Sequence, residues 1–126
     1  MKVDKIREYC LSKPNAYECY PFGDTPICYK FNNKIFAQLY PNEWDFKITL
    51  KCSYDMGFLY RTIYPGKVLR GYHCPPIQQP YWNTVLLDDF PDDELLNMID
   101  LAYNTILKGR SKKVQKIIEK DESDNK

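Results

Sequence analysis

A chain of 126 residues has room for one core and not two, and its 44% hydrophobic and 28% charged content is that of an ordinary globular domain. Eighteen Lys and Arg against 17 Asp and Glu leave a formal net charge of +1, which excludes a uniformly basic surface, so any anion-binding face must come from local clustering. No apolar run is long enough for a membrane span, and the charged start Met1-Lys2-Val3-Asp4-Lys5 lacks the apolar stretch of a signal peptide; a cytoplasmic protein is expected.

Val3, Ile6 and Cys10 recur at helical spacing, and Pro14 ends that first predicted helix. Strand-rich sequence follows. Ala16 to Phe22 leads to the turn signal Gly23-Asp24, and two further strands, Pro26 to Phe31 and Lys34 to Tyr40, flank Asn32-Asn33. Asn tolerates positive φ, so that pair reads as a two-residue hairpin turn. From Asp45 to Cys52 the chain alternates, with Phe46, Ile48, Leu50 and Cys52 on one face and Asp45, Lys47, Thr49 and Lys51 on the other. The expectation is a half-exposed antiparallel strand with Phe46, Ile48 and Leu50 buried and Lys47 and Lys51 exposed.

Ser53 reads as the N-cap of a helix running to about Ile63, stopped by Tyr64-Pro65-Gly66. Val68 to Pro80 is expected to be irregular, and Trp82 to Leu87 to be a strand. Pro91-Asp92-Asp93-Glu94 opens the strongest helix, whose stripe Leu95, Leu96, Ile99, Ala102, Tyr103, Ile106 and Leu107 ends at Gly109. A last amphipathic segment carries Val114, Ile117 and Ile118. One domain over residues 1–120 and a polar tail over 121–126 are predicted. Helices set apart from a run of consecutive strands argue for an α+β fold with an antiparallel sheet.

The five cysteines, Cys10, Cys19, Cys28, Cys52 and Cys74, are odd in number and lack C-x-x-C spacing. They read as reduced, buried thiols rather than a disulfide framework or a zinc site. The acidic run Asp88, Asp89, Asp92, Asp93 and Glu94 reads as a helix start, not a metal site, because carboxylates there favour the dipole and cap free N–H groups. No phosphate-binding glycine loop, nucleophile elbow or zinc-protease motif is present, so neither cofactor nor catalytic residues are expected.

Tyr20-Pro21-Phe22-Gly23, the strand Lys47 to Cys52, Tyr64-Pro65-Gly66, Gly71-Tyr72-His73 and Trp82-Asn83-Thr84-Val85 followed by Asp88 resemble the MmcQ/YjbR family in order and spacing. The resemblance runs from about residue 3 to residue 117, and the Gly-Tyr-His and Trp-Asn-Thr-Val pair is its specific part. It implies a CyaY-like, two-layer α+β fold of the double-wing type, with an antiparallel sheet packed by helices, and a DNA-binding role. One segment departs from the pattern: Cys74 to Tyr81 is proline-rich and uncharged, which argues against phosphate contacts from that loop.

The candidate DNA contacts are basic clusters and two neighbouring motifs. Arg110, Lys112, Lys113 and Lys116 crowd the final segment beside Lys108 and Lys120; Arg61, Lys67 and Arg70 gather near the second helix's end; Lys47 and Lys51 share a strand face. Lysine and arginine clusters attract phosphate through counterion release. His73 is a structural or ligand-binding residue rather than a base, since no nucleophile is placed for it. Trp82 and Asn83 could stack on and pair with a base, or else fill the core and tie down the preceding loop. The expected function is weak, largely nonspecific DNA binding by an accessory protein. The alternative is a non-enzymatic protein-interaction or chaperone-like module that uses its aromatic surface.

Overall fold

The computed structural model describes residues 1–109, so the expected contacts Arg110, Lys112, Lys113 and Lys116, and the predicted last amphipathic segment, lie outside the described residues. The chain opens with α1 (Val3–Leu11), followed by β1 (Tyr17–Cys19), β2 (Ile27–Phe31), β3 (Lys34–Tyr40) and β4 (Lys47–Lys51). Then come α2 (Tyr54–Ile63), β5 (Val68–Arg70), β6 (Trp82–Leu86) and α3 (Asp92–Lys108). Single 3-10 turns at Glu43–Asp45 and Gln79–Tyr81 complete the order. The fold is α+β, with a six-stranded sheet in the order β1-β2-β3-β4-β6-β5 and every pairing antiparallel.

Local chemistry sets most of these boundaries. Asn32 and Asn33 both take positive φ, 52° and 64°, which matches the twist a two-residue hairpin needs. Ser53 caps α2 by accepting from the Met56 amide at 3.2 Å, and Gly66 at φ 81° reverses the chain after it. The prediction for residues 68–80 needs correction. Val68–Arg70 forms a strand because it pairs with Val85, Thr84 and Asn83, a long-range contact that no local pattern announces.

Register divides the sheet into two unlike faces. Ala37 lies opposite Leu50, Leu39 opposite Ile48, and Ile48 opposite Val85, so these apolar residues share one side. The helices pack on that side. Ile6, Cys10, Leu95, Ile99, Ala102 and Tyr103 close over it, with Tyr103 edge-on to Phe36 at 5.6 Å. At the sheet's first edge, Glu18 accepts from Arg7 at 2.9 and 3.0 Å and from Tyr29 at 2.8 Å, tying β1 to α1 and β2. That bidentate pair holds the Glu18 carboxyl below its ordinary value.

The second face carries Gln38, Tyr40, Lys47, Thr49, Lys51, Trp82, Thr84 and Leu86 in matching rows. Ile48 and Leu50 are buried as predicted, but Phe46 precedes the strand and is only half-buried, and Lys47 and Lys51, expected to be exposed, are half-buried beside Thr49, which is only 2% exposed. Aromatic rings from neighbouring strands and the segment after β5 lean over the small polar residues between them.

Candidate functional site

The second face gathers cations and rings in one band. Lys51 Nζ lies 5.1 Å from the Trp82 ring centre and 5.7 Å from that of Tyr81, a paired cation–π arrangement. Burial lowers the Lys51 pKa, and the positive charge of Lys34 pushes the same way against the opposing pull of Cys52 and Cys74. Lys30 and Lys34 border the same depression as Lys51 and Trp82, at the end of the sheet, where Thr105, Ile106 and Gly109 at the end of α3 also line it. Lys34 pairs with Phe31, which packs on Tyr103, so it reaches Lys51 from the helix side. Further along, Lys47 sits 4.7 Å from the Tyr40 ring centre while pairing with Asp45 at 3.1 Å. Between them lies a hollow of about 240 Å³, floored by Thr49 and Thr84, whose hydroxyls bond at 2.9 Å, and walled by Tyr40, Tyr72 and His73.

Glycine explains how the Gly-Tyr-His segment reaches the tryptophan. A Cβ on Gly71 would stand 2.4 Å from Trp82 Cβ and 3.1 Å from His73 Cε1, so the segment approaches β6 only because the side chain is missing. His73 then sets its ring edge-on to Trp82 at 5.4 Å. Partial desolvation lowers the His73 pKa, although much of the side chain remains exposed. Cys74 turns its thiol to the Gly71 carbonyl oxygen at 3.0 Å.

The predicted site residues divide between the two faces. Lys47, Lys51, His73 and Trp82 belong to the band, and Arg70 borders the hollow with an exposed side chain. Trp82 is half-buried on the band rather than filling the core. Asn83 must be removed from the candidate contacts. It is 1% exposed on the helix side, where its Oδ1 accepts from Arg61 at 2.6 Å and its Nδ2 donates to the Gly57 carbonyl at 3.2 Å. Asn83 therefore ties β6 to α2, not to the loop before it, and Arg61 is engaged in the same knot. Lys67 lies apart, donating to the Asp88 carbonyl at 2.9 Å.

Sequence reasoning missed Lys30, Lys34, Tyr40, Tyr72 and Tyr81 as members of the band. Lys30 and Lys34 flank the Asn32-Asn33 turn, so the hairpin itself signalled that they would stand together. Their nearness to Lys51 depends on strand order, which no local pattern reveals.

The YjbR family model matches residues 11–105. The chain belongs to the YjbR family. A Deinococcus radiodurans protein, whose crystal structure is described as a DUF419 domain, is similar with a TM-score of 0.78 and 26% identity over 94% of this chain and 88% of that one. A Pseudomonas syringae protein shares the fold with a TM-score of 0.64 and 22% identity, covering 81% of this chain and 96% of its own. No curated protein matches the chain. Within this YjbR protein, the motif pair that marks the resemblance, Gly71-Tyr72-His73 and Trp82-Asn83-Thr84, meets in space. Gly71, His73 and Trp82 form one contact, and Asn83 anchors the same strand from behind. Among the described residues no cluster of three or more metal-ligating side chains occurs, and no helix is long and apolar enough to cross a membrane.

Proposed function

We propose that the face of the sheet opposite the described helices binds DNA, weakly and with little sequence preference. Lys51, Lys30 and Arg70 hold phosphates, with Lys34 adding its charge from the end of the sheet, while Trp82, Tyr81 and Tyr72 offer rings to bases. The carrying observation is Lys51: a half-buried ammonium between two rings, beside a second lysine, with no ion pair among the described residues. An arriving phosphate supplies the missing anion, and release of its counterions drives binding. A sheet that presents rings and cations suits unstacked bases better than it suits a duplex groove, which takes a helix or a two-stranded ribbon. The single-stranded form is therefore the favoured ligand.

The test is titration with labelled single-stranded and duplex oligonucleotides at several salt concentrations. Affinity is expected in the micromolar range or weaker at physiological salt, with tighter binding of the single strand. Lys51→Gln and Lys34→Gln should each lower the log–log salt slope by about 0.7. Absence of salt-dependent binding to either form at low ionic strength would overturn the reading.

We infer that the protein is non-enzymatic. His73 packs T-shaped against Trp82, and the Cys74 thiol is directed to a backbone carbonyl, so neither is paired as base and nucleophile. A second reading, a protein-interaction module, draws on the outer side of α2, where Tyr54, Phe58, Leu59 and Ile63 are all exposed. If DNA binding fails, Phe58→Ser and Ile63→Ser become the variants of interest, with loss of self-association or of partner capture as the readout.

A further inference from the structure

Two of the thiols face each other across the first strand pair. Among the described residues β1 is an edge strand bonded only to β2, and the register sets Cys19 directly opposite Cys28. Opposed residues of an antiparallel pair project to the same face with Cβ atoms about 4.5–5.5 Å apart, near the separation a disulfide spans. Cys19 is half-buried, and its Sγ lies 3.6 Å from the Cys28 carbonyl oxygen. Cys28 is fully buried, and its Sγ lies 3.8 Å from the Pro26 carbonyl oxygen. Cys10, Cys52 and Cys74 have no cysteine opposite them in the sheet.

The two thiols differ in the way an oxidisable pair requires. Cys19 is half-buried at the sheet edge and Cys28 is fully buried, so a small reagent meets Cys19 first. Burial pushes the Cys28 thiol up to about 11, with the neighbouring Cys19 adding to the rise, so Cys28 stays protonated and does not attack first.

We propose that Cys19 and Cys28 form an oxidisable dithiol that closes to an intramolecular disulfide on reaction with a low-molecular-weight disulfide such as oxidised glutathione. Cys19 gives its proton to solvent and its thiolate attacks one sulfur of the reagent. The reagent's S–S bond breaks, one glutathione thiolate leaves, and Cys19 carries a mixed disulfide. The Cys28 sulfur then attacks the Cys19 Sγ, its proton passing to the second departing glutathione thiolate. The protein dithiol loses two electrons and two protons, and one glutathione disulfide becomes two thiols. The new bond staples the edge strand to β2 and closes the turn that carries the exposed Tyr20 and Phe22.

The experiment exposes the full chain to oxidised glutathione, blocks free thiols, and measures intact and peptide masses. The expected product has lost two hydrogens, holds no glutathione, yields a linked Cys19–Cys28 peptide, and reverts with dithiothreitol. Cys28→Ala should stop at one glutathione on Cys19, and Cys19→Ser should give neither adduct nor disulfide at Cys28. Circular dichroism of both variants establishes that they are folded. Should Cys28→Ala fail to fold, the linked peptide in the unmodified chain decides alone. A persistent glutathione adduct on the unmodified chain, a link between other cysteines, or no reaction would each overturn the proposal.

Discussion

On the helix side of the sheet, Ala37, Leu39, Ile48, Leu50 and Val85 form nearly dry rows in which Asn83 is the polar member; on the other side, the same strands present Gln38, Tyr40, Lys47, Thr49, Lys51 and Thr84. Burial does not separate the two, because Gln38 is 6% and Thr49 2% exposed. The difference is what does the covering. Helices supply close-packed methyl groups on the first side, whereas the second side is shaded by rings and lysine stems whose polar ends remain at the surface. A change on the first side should therefore act on folding, and a change on the second on binding.

The largest expected effect comes from the first side. Ile48→Ala leaves a void under α3 and should cost about 2–5 kcal/mol of stability, measured by urea unfolding. A loss below 1 kcal/mol would mean that the helix layer is far looser than its burial indicates. Asn83→Ala tests the polar knot between β6 and α2 on that side. It strands the Arg61 guanidinium and the Gly57 carbonyl and should cost about 1–3 kcal/mol. If it instead abolished DNA binding in a protein of unchanged stability, Asn83 would belong with the site and the division between faces would fail.

Gly71→Ala sharpens the comparison from the binding side. The added methyl meets Trp82 and should cost about 1–3 kcal/mol, while moving His73 off the tryptophan. In a Trp44→Phe background, Trp82 fluorescence should change and affinity for oligonucleotides should fall together. The smallest effect is that of pH on His73. Its pKa is lowered in the folded state, so as pH falls below the ordinary imidazole range the unfolded chain takes up the proton first and stability declines; above that range the contribution is fully present. His73→Gln should flatten the stability profile between about pH 7 and pH 5, and an unchanged slope would show that the ring is effectively solvated.

What the sequence made legible was local. The Asn32-Asn33 turn, the Ser53 cap, the α3 stripe and the alternation of Ile48 and Leu50 each depend on residues within a few positions of one another, and each appears in the structure. Residues 68–70 form β5 only through β6, so their strand was invisible. The site failed in the same way. Alternation placed Lys47 and Lys51 on a shared face, but only the strand order shows that Trp82 joins them and that Asn83, one residue from Trp82, faces the opposite layer. Adjacent members of one motif have separate tasks because successive strand residues point to opposite sides.

The lengths of the outermost strands bear on how this molecule behaves among its neighbours. β1 and β5 contain 3 residues each, whereas β3 between them contains 7. Among the described residues each rim thus exposes only a brief row of unpaired amides and carbonyls. A neighbouring copy that docked edge to edge would gain too short a ladder to extend the sheet from molecule to molecule. Crowded solutions of this protein should accordingly resist growth into cross-β fibres, even though its central strands are long and apolar enough to nucleate them if the rims were lost.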